Sequence, residues 1–408
     1  MKILFVTGVY SRESEPILRN QCVNTGLDMA ANTFQWNIIE GLAETGVDFH
    51  VISYPFLPAY PFRYKCMITP QDDIIWEGRK IGSMLSYNSL FFIKHLSIQN
   101  RLYHYAKRWV NEIYQESEEI WIISYTPCSF FSNAIIKLKK KYPRIKYCTI
   151  VADLVDDATN PSFNLSLPKL IQAKREQRLV KQSYASIDKF ILLSKYMEEK
   201  IPPAKDNNII IEGLASKVDS DSVKIKDSSL KVLLYAGALE EFTGIIDLLD
   251  SFLATDNKSF RLIICGGGSL SKQVRVIADN DNRITFLGNI PRNEVIKLQK
   301  EVTLLINPRK PLFDLTRYSF PSKTIEYMSS GTPMIGYKLD GIPEEYFNHM
   351  YIPNDLSNES LTQTLNDTLS RDPIELKEFG ESAKDFIRNN KEASIQVAKI
   401  LSFLKDRS

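Results

Sequence analysis

Short apolar runs rich in β-branched residues alternate with amphipathic segments along the whole chain, and few folds are compatible with this pattern. It is typical of βαβ units in mainly parallel sheets, and uninterrupted apolar runs indicate strands that are buried on both faces. The predicted strands lie at 2–7, 48–53, 120–125, 147–153, 189–194 and 208–212, and then at 231–236, 261–265, 284–287 and 302–307. We therefore predict an α/β fold with two Rossmann-like, doubly wound domains that face each other across a cleft.

The polar segment at 216–229, SKVDSDSVKIKDSS, contains few large apolar groups and is interpreted as a linker. It separates an N-terminal domain at 1–215 from a C-terminal domain at 230–388. The last segment, 389–408, is predicted to be a helix that returns to the N-terminal domain.

Composition excludes several classes of protein. The chain has 408 residues, of which 44% are hydrophobic and 25% charged, so it can form two or three domains with complete cores. Its formal net charge of +2 offers no broad basic field for nucleic acid. The five cysteines include no CxxC pair and only four histidines occur, so we predict no disulfide framework, no metal site and no cofactor.

Membrane association is a separate question. No apolar run approaches the roughly 20 residues that span a bilayer, and the N-terminal run breaks at Gly8, so we expect a cytoplasmic protein without a signal peptide. Two stretches, 91–109 and 137–147, mix cations with aromatic residues. This is typical of helices on an anionic membrane surface and equally of solvated helix faces. The protein is therefore either free or peripheral at the inner face of the cell membrane.

The connection after the first predicted strand contains an unusually long loop. Asn32-Thr33-Phe34-Gln35 has the spacing of a capping box and predicts a helix that begins there and ends near Gly46. The segment 8–31 is then an unusually long loop at the carboxyl edge of the sheet, where ligands of open α/β sheets bind. Both a functional loop and an incidental insertion are consistent with this length.

The stretch at 318–336, YSFPSKTIEYMSSGTPMIG, places a cation at the start of a helix. If Pro321 and Ser322 open that helix, Lys323 and Glu326 lie on one face, three residues apart. A helix N-terminus with a cation beside it is a site for phosphate. A surface ion pair between Lys323 and Glu326 is the alternative interpretation.

Three glycine-rich turns follow predicted strands in the C-terminal half. They are YAGALEEFTG at 235–244, CGGGSLS at 265–271 and LGNIPRNEV at 287–295. All three belong at the same carboxyl edge of the second sheet. The second turn lacks the complete GxGxxG fingerprint and the lysine of a P-loop, so it either admits a phosphate or allows tight packing.

The order of these motifs resembles the family 4 glycosyltransferases, which are retaining enzymes of the GT-B architecture. The resemblance covers nearly the whole chain and rests on Gly237, GGG at 266–268, FLGNI at 286–290, INPR at 306–309 and the stretch at 318–336. It implies sugar transfer from a UDP-, GDP- or ADP-linked donor to a glycan or lipid-linked glycan acceptor, in bacterial surface polysaccharide biosynthesis. A catalytically silent partner subunit and a sugar-nucleotide epimerase of the same architecture are the alternatives.

The resemblance also implies roles for individual residues. The family carries two glutamates eight positions apart, with phenylalanine two residues after the first; here Phe320 and Glu326 match, whereas Tyr318 replaces the first glutamate. Glu326 is expected to accept hydrogen bonds from the nucleotide ribose, and FLGNI to offer backbone groups to the base. The implied donor-binding residues are Gly237, Thr243, Gly244, Gly266, Gly288, Asn289, Ile290, Arg309, Ser322 and Glu326.

The chain departs from the family where the donor diphosphate is neutralised. Many members have an arginine after the glycine of the first turn and a lysine before the glycine that opens the next helix, and here these positions are Ala238 and Thr243. Diphosphate charge has to be balanced as the leaving group departs. We expect Lys323, Arg317 and Arg309 to supply the missing positive charge, Lys323 and Arg317 in a catalytic role.

A carboxylate in the N-terminal domain is the other candidate catalytic residue. TIVADL at 149–154 matches a strand end where many relatives carry His-Asp, and here these residues are Ala152 and Asp153. Asp153 is expected to orient the transferred sugar or the acceptor hydroxyl, or alternatively to cap the loop before Asp156 and Asp157. No general base is assigned, because in a retaining reaction the leaving phosphate can itself assist the incoming hydroxyl.

Overall fold

The chain forms two compact units. The computed structural model describes residues 1–23, 26–115, 119–155, 167–218, 230–312 and 316–406. One unit consists of Met1–Leu214 together with Ala393–Ser408, and the other is Ala215–Glu392. Most of the predicted linker, 219–229, lies outside the described residues.

The first unit is built on a mainly parallel sheet. Its strands are β1 (Lys2–Thr7), β2 (Asp48–Ser53), β3 (Asp72–Trp76), β4 (Arg79–Met84), β5 (Ile120–Tyr125), β6 (Ile145–Val151), β7 (Lys189–Leu192) and β8 (Asn208–Ile210). Their order is β3-β4-β2-β1-β5-β6-β7-β8, and the β3–β4 pair is antiparallel whereas the other pairs of these strands are parallel. Every residue of β5 is buried, which confirms the predicted burial on both faces.

The β3–β4 hairpin was not among the predicted strands. Both strands carry charged residues and are half exposed, so neither forms an uninterrupted apolar run. The turn between them places Glu77 and Gly78 at positive φ, 47° and 77°, as a two-residue hairpin requires.

The helices of the first half are α1 (Ser14–Gln21), α2 (Met29–Glu44), α3 (Lys94–Ile113), α4 (Ser129–Lys141) and α5 (Leu167–Ser183). The prediction of a capping box at Asn32 is wrong, because Asp28 caps α2 by accepting a hydrogen bond from Ala31 N at 2.9 Å. Gln35, the expected capping partner, is buried and instead accepts from Gly8 N at 2.7 Å. Since α1 lies within 8–31, that segment is not one long loop.

The second unit contains a parallel sheet with apolar clusters on both faces. Its strands are β9 (Lys231–Ala236), β10 (Phe260–Cys265), β11 (Ile284–Gly288), β12 (Leu304–Asn307) and β13 (Met334–Gly336). They are ordered β11-β10-β9-β12-β13. Leu234 of β9 belongs to one buried cluster and Leu233 to the other. This alternation is that of a doubly wound sheet covered on both sides.

The remaining helices are α6 (Ile245–Leu253), α7 (Ser271–Asn280), α8 (Arg292–Glu301), α9 (Lys323–Ser330), α10 (Asn358–Leu369), α11 (Pro373–Asn390) and α12 (Ala393–Lys405). Among the described residues, no helix is both long enough and apolar enough to cross a membrane. The helix α12 belongs to the first unit, where it packs on α2. A Cβ atom added to Gly41 of α2 would lie 2.4 Å from the Ala393 carbonyl oxygen, so the contact depends on glycine.

Candidate functional site

The three glycine turns meet at the carboxyl edge of the second sheet, after β9, β10 and β11. Gly237 N donates to the Cys265 carbonyl oxygen at 2.9 Å, and Gly266 N donates to that of Gly288 at 2.8 Å. Gly266 has a φ of 134°, and a Cβ atom on it would lie 1.8 Å from the Gly237 carbonyl oxygen. The turns therefore pack backbone against backbone, and this contact explains the glycine at position 266. Phosphate binding by the same turn remains a prediction.

The side chain of Lys323 reaches the first of these turns. A Cβ atom added to Gly237 would lie only 1.5 Å from Lys323 Nζ, so the ammonium group occupies the space that a side chain at Gly237 would fill. Lys323 Nζ also lies 5.1 Å from the centroid of the Tyr235 ring. Within the described residues, Lys323 has neither a hydrogen-bond acceptor nor an ion-pair partner. A cation without a protein partner in the described residues thus stands at the turn that contains Gly237 and Ala238, where the resemblance leads us to expect an arginine.

The electrostatic environment of Lys323 is unusual for a lysine. Restricted hydration lowers the pKa of Lys323 to about 8; Glu326 acts in the opposite direction and Arg309 adds to the decrease. Restricted hydration also lowers the pKa of Arg309, whose guanidinium lies 5.7 Å from the Phe242 ring centroid. Two poorly hydrated cations near one turn favour an anion between them, because an anion would restore the lost solvation.

The N-terminus of α9 adds donors to the same place. Ser322 occupies the N-cap position, but its side chain makes no capping hydrogen bond and is exposed. The Oγ1 atom of Thr324 is buried and has no hydrogen-bond partner in the described parts of the chain. Uncapped amides at a helix N-terminus attract anions, and a neighbouring cation strengthens the attraction.

Glu326 is held by two residues of α8. Its carboxylate accepts from Gln299 Nε2 at 2.6 Å and from Arg292 Nη2 at 3.3 Å. The described residues show no Lys323–Glu326 ion pair, so the surface-pair interpretation of these two residues is not supported. Arg292 and Gln299 were not singled out from the sequence, although residues seven positions apart on a helix lie on the same face.

Residues 230–371 match the family model of glycosyl transferases group 1, and this range includes all the implied donor-binding residues. No curated protein matches the sequence. The fold resembles sucrose-phosphate synthase from Thermosynechococcus elongatus, with 15% identity, 99% and 98% coverage of the two chains and a TM-score of 0.64.

The predicted resemblance to group 1 glycosyltransferases is confirmed. The lipopolysaccharide outer core galactosyltransferase WaaB has a similar structure, with 14% identity, 99% coverage of both chains and a TM-score of 0.62. Starch synthase IV from Arabidopsis thaliana, solved with ADP and acarbose, is similar at 9% identity, 98% coverage of both chains and the same TM-score. These structures show that the chain has the GT-B fold.

Thr243 and Gly244, two further implied donor-binding residues in the matched range 230–371, lie in the first glycine turn. Thr243 donates from Oγ1 to the Glu240 carbonyl oxygen at 2.6 Å. Gly244 adopts a φ of 75°, and a Cβ atom there would lie 2.2 Å from the Pro308 carbonyl oxygen. The loop that carries Arg309 is thereby fixed against the first turn.

The last implied residues differ in exposure. Asn289 is exposed, whereas Ile290 is partly buried and packs against the core of the second unit. Arg317 is partly buried on the segment that leads into α9. Gly288 ends β11 with a φ of 65°, a conformation that favours glycine.

Asp153 belongs to the first unit and follows β6. It is solvent-accessible but lies among many protein atoms, and this restricted hydration raises the pKa of its carboxyl group, as does the charge of Asp28. The carboxylates of Asp153 and Asp28 also act on Tyr125 at the end of β5. The pKa of Tyr125 is raised, mainly by burial. The alternative expectation was that Asp153 caps the loop before Asp156 and Asp157. Both of these residues lie outside the described residues.

Proposed function

We propose that this protein is a retaining glycosyltransferase that moves a sugar from a nucleotide-sugar donor to a glycan or lipid-linked glycan acceptor. The biological setting we propose is the synthesis of bacterial surface polysaccharide. The position of the Lys323 ammonium at the Gly237 turn carries the proposal, because it returns positive charge to the turn where Ala238 has replaced the arginine of the family.

In the proposed complex, the donor diphosphate lies between the Gly237 turn and the N-terminus of α9. Lys323, Arg309 and Arg317 balance its charge, and Ser322 contributes a backbone donor. The Glu326 carboxylate keeps free acceptor positions beside its bonds to Gln299 and Arg292, and these accept the ribose hydroxyls.

The base and the turns complete the donor site. Gly288, Asn289 and Ile290 contact the base through their backbone, while Gly244 and Gly266 let neighbouring turns approach closely enough to form one edge. Thr243 stays bonded to Glu240 and supplies no charge.

The reaction breaks the bond between the sugar C1 and the diphosphate oxygen, so negative charge grows on the leaving diphosphate. Lys323 and Arg317 stabilise that charge, and this is why we assign them catalytic roles. The leaving phosphate takes the proton of the incoming acceptor hydroxyl, and Asp153 orients that hydroxyl or the transferred sugar. The scheme uses no metal ion and no cofactor.

Two structural relatives support a nucleotide diphosphate as part of the donor. Starch synthase IV was solved with ADP and acarbose, and TarM from S. aureus with UDP and α-GlcNAc-glycerol. WaaB acts on the lipopolysaccharide outer core, which is consistent with a lipid-linked glycan as acceptor. A UDP-, GDP- or ADP-sugar is therefore the donor class to screen first.

The decisive variant is Lys323→Ala. A group directed at transition-state charge typically contributes about 2.7 to 4 kcal/mol, so turnover should fall by roughly a hundredfold or more. Lys323→Arg should not restore turnover, because a planar guanidinium does not fit a point-charge site without rearrangement. A near-normal transfer rate in folded Lys323→Ala protein would refute the phosphate role.

The alternative functions have different outcomes in the same screen. A silent partner subunit binds no sugar nucleotide, and an epimerase converts the donor without an acceptor. Transfer to an acceptor, or slow hydrolysis of the donor, supports the proposed function.

A further inference from the structure

The first unit exposes a group of large apolar side chains in one place. We name as the apolar patch Phe62, Phe91, Phe92, Ile93 and Leu96. Phe92 is 85% exposed, Phe62 69% and Leu96 57%. Single exposed apolar residues are ordinary, but several large ones together indicate a surface that contacts another phase or molecule.

The apolar patch is rigid rather than a loose loop. The Phe62 and Phe91 rings meet edge to face with centroids 5.8 Å apart, and Phe91 meets Phe92 in the same way at 5.1 Å. Backbone hydrogen bonds join the two segments that carry these residues: Phe91 N donates to the Tyr60 carbonyl oxygen at 3.2 Å and Ser89 N to that of Met67 at 2.7 Å. The rings are therefore fixed in an exposed position.

Arginines without acidic partners lie on the same two segments as the apolar patch. Arg63 is next to Phe62, and α3 continues from Leu96 with Arg101 and Arg108 at exposed positions two turns apart. Arg101 donates to Ser86 Oγ at 3.1 Å, and none of these cations has an ion-pair partner in the described part of the chain.

The other basic stretch, 137–147, is different. Lys139 binds Asp188 at 2.5 Å and Lys146 binds Glu119 at 2.9 Å. Lys137 lies over the Tyr103 ring at 4.3 Å. These three lysines of the stretch 137–147 thus interact with carboxylates or an aromatic ring of the first unit.

We propose that the apolar patch inserts into the interface of an anionic membrane while Arg63, Arg101 and Arg108 contact lipid phosphates. An anionic membrane interface binds this combination of residues in two ways. Exposed phenylalanine and leucine side chains are buried among the lipids, and unpaired arginines are attracted to the anionic headgroups. A contact with another protein would instead leave these arginines without counter-charges unless the partner were acidic. The inference deepens the proposed function, on which it rests for its biological role, since a lipid-linked acceptor lies in such a membrane.

The test uses the full chain and sedimentation with vesicles, in the absence of donor. The wild type should bind vesicles that contain phosphatidylglycerol, bind pure phosphatidylcholine weakly, and be released by salt. Phe92→Ser with Leu96→Ser should weaken binding by at least about tenfold, because each large side chain contributes substantially to apolar burial. The matched control is Val276→Ser with Ile374→Ser, at residues that are 60% and 61% exposed in the second unit, and should change nothing.

Insertion itself is measured with Phe92→Trp, whose fluorescence should shift to the blue on anionic vesicles. Equal binding of the wild type and the Phe92→Ser, Leu96→Ser variant, or no binding by the wild type, would overturn the proposal. A wild-type dimer that this variant dissociates, without vesicle binding, would assign the patch to a second copy of the chain. Vesicle binding needs no turnover. A protein that binds vesicles but transfers no sugar would therefore contradict the proposed function and leave the membrane proposal standing.

Discussion

Replacing Lys323 by methionine should make the protein more stable and less active. A pKa lowered from 10.5 to about 8 means that keeping the ammonium charged in the folded protein costs about 3 kcal/mol at neutral pH, at about 1.36 kcal/mol per pKa unit. Methionine has a similar length and no charge to desolvate. Allowing for the lost contact with the Tyr235 ring and for partial hydration of the ammonium, we expect the free energy of unfolding to rise by about 1 to 3 kcal/mol.

The stability that Lys323→Met gains over the wild type should decrease as the pH rises. The folded-state pKa of Lys323 lies below the unfolded value, so below about pH 8 the lysine is charged in both states and its full cost applies. Between about pH 8 and 10.5 the unfolded chain binds more protons, and the stability of the wild type rises relative to the variant. The advantage of Lys323→Met should therefore shrink as pH increases through this window.

Urea unfolding of wild type and Lys323→Met at pH 7 and near pH 10, together with turnover at pH 7, measures both effects. Lys297→Met on α8 is the matched control, because Lys297 is exposed and should change stability by no more than about 0.5 kcal/mol. A Lys323→Met protein that is less stable than wild type, by an amount that does not change with pH, would refute this reasoning about a poorly hydrated cation.

Three further single variants test the geometry of the site. Gly237→Ala places a Cβ atom 1.5 Å from Lys323 Nζ and must displace the ammonium, so turnover should fall about as far as in Lys323→Ala, with less than about 1 kcal/mol lost in stability. Adding Lys323→Ala to Gly237→Ala should lower turnover little further, and additive losses of turnover would contradict the displacement of the ammonium. The control is Gly26→Ala, where the added Cβ atom meets open space. Glu326→Ala should weaken donor binding by about 1.5 to 3 kcal/mol in calorimetry. Gln299→Ala should have a smaller effect in the same direction, and unchanged affinity in folded Glu326→Ala protein would exclude the ribose role.

Strands with uninterrupted apolar runs could be predicted from the sequence. The boundaries of β1, β2, β5 and β9 agree with the predicted ranges, and the last three residues of each of these strands are buried. The β3–β4 hairpin was missed because it lies at the edge of the sheet, where charged residues are tolerated. The start of α2 was placed too late because two candidate caps precede the apolar run, and Asp28 rather than Asn32 is used.

The candidate site could be predicted only in part. Sequence order was sufficient to bring the glycine turns to one edge and to place Lys323 at the start of α9. It could not show that the Lys323 side chain turns toward Gly237 rather than toward Glu326, because a flexible four-carbon side chain reaches either. The support of Glu326 by Gln299 depends on how α8 packs beside α9, which no local pattern encodes.

The assignment of α12 to the first unit has a consequence for synthesis of the chain. On the ribosome, the second unit is complete once Glu392 has emerged, whereas the first unit still lacks the helix that packs against Gly41 of α2. Until Ala393–Lys405 is made, the apolar face of α2 that this helix covers stays open to chaperones and to proteolysis. The unit whose first strand is synthesised first is therefore also the one whose last helix is synthesised last. A chain shortened by that single helix should be cleared by the cell although its second unit is intact.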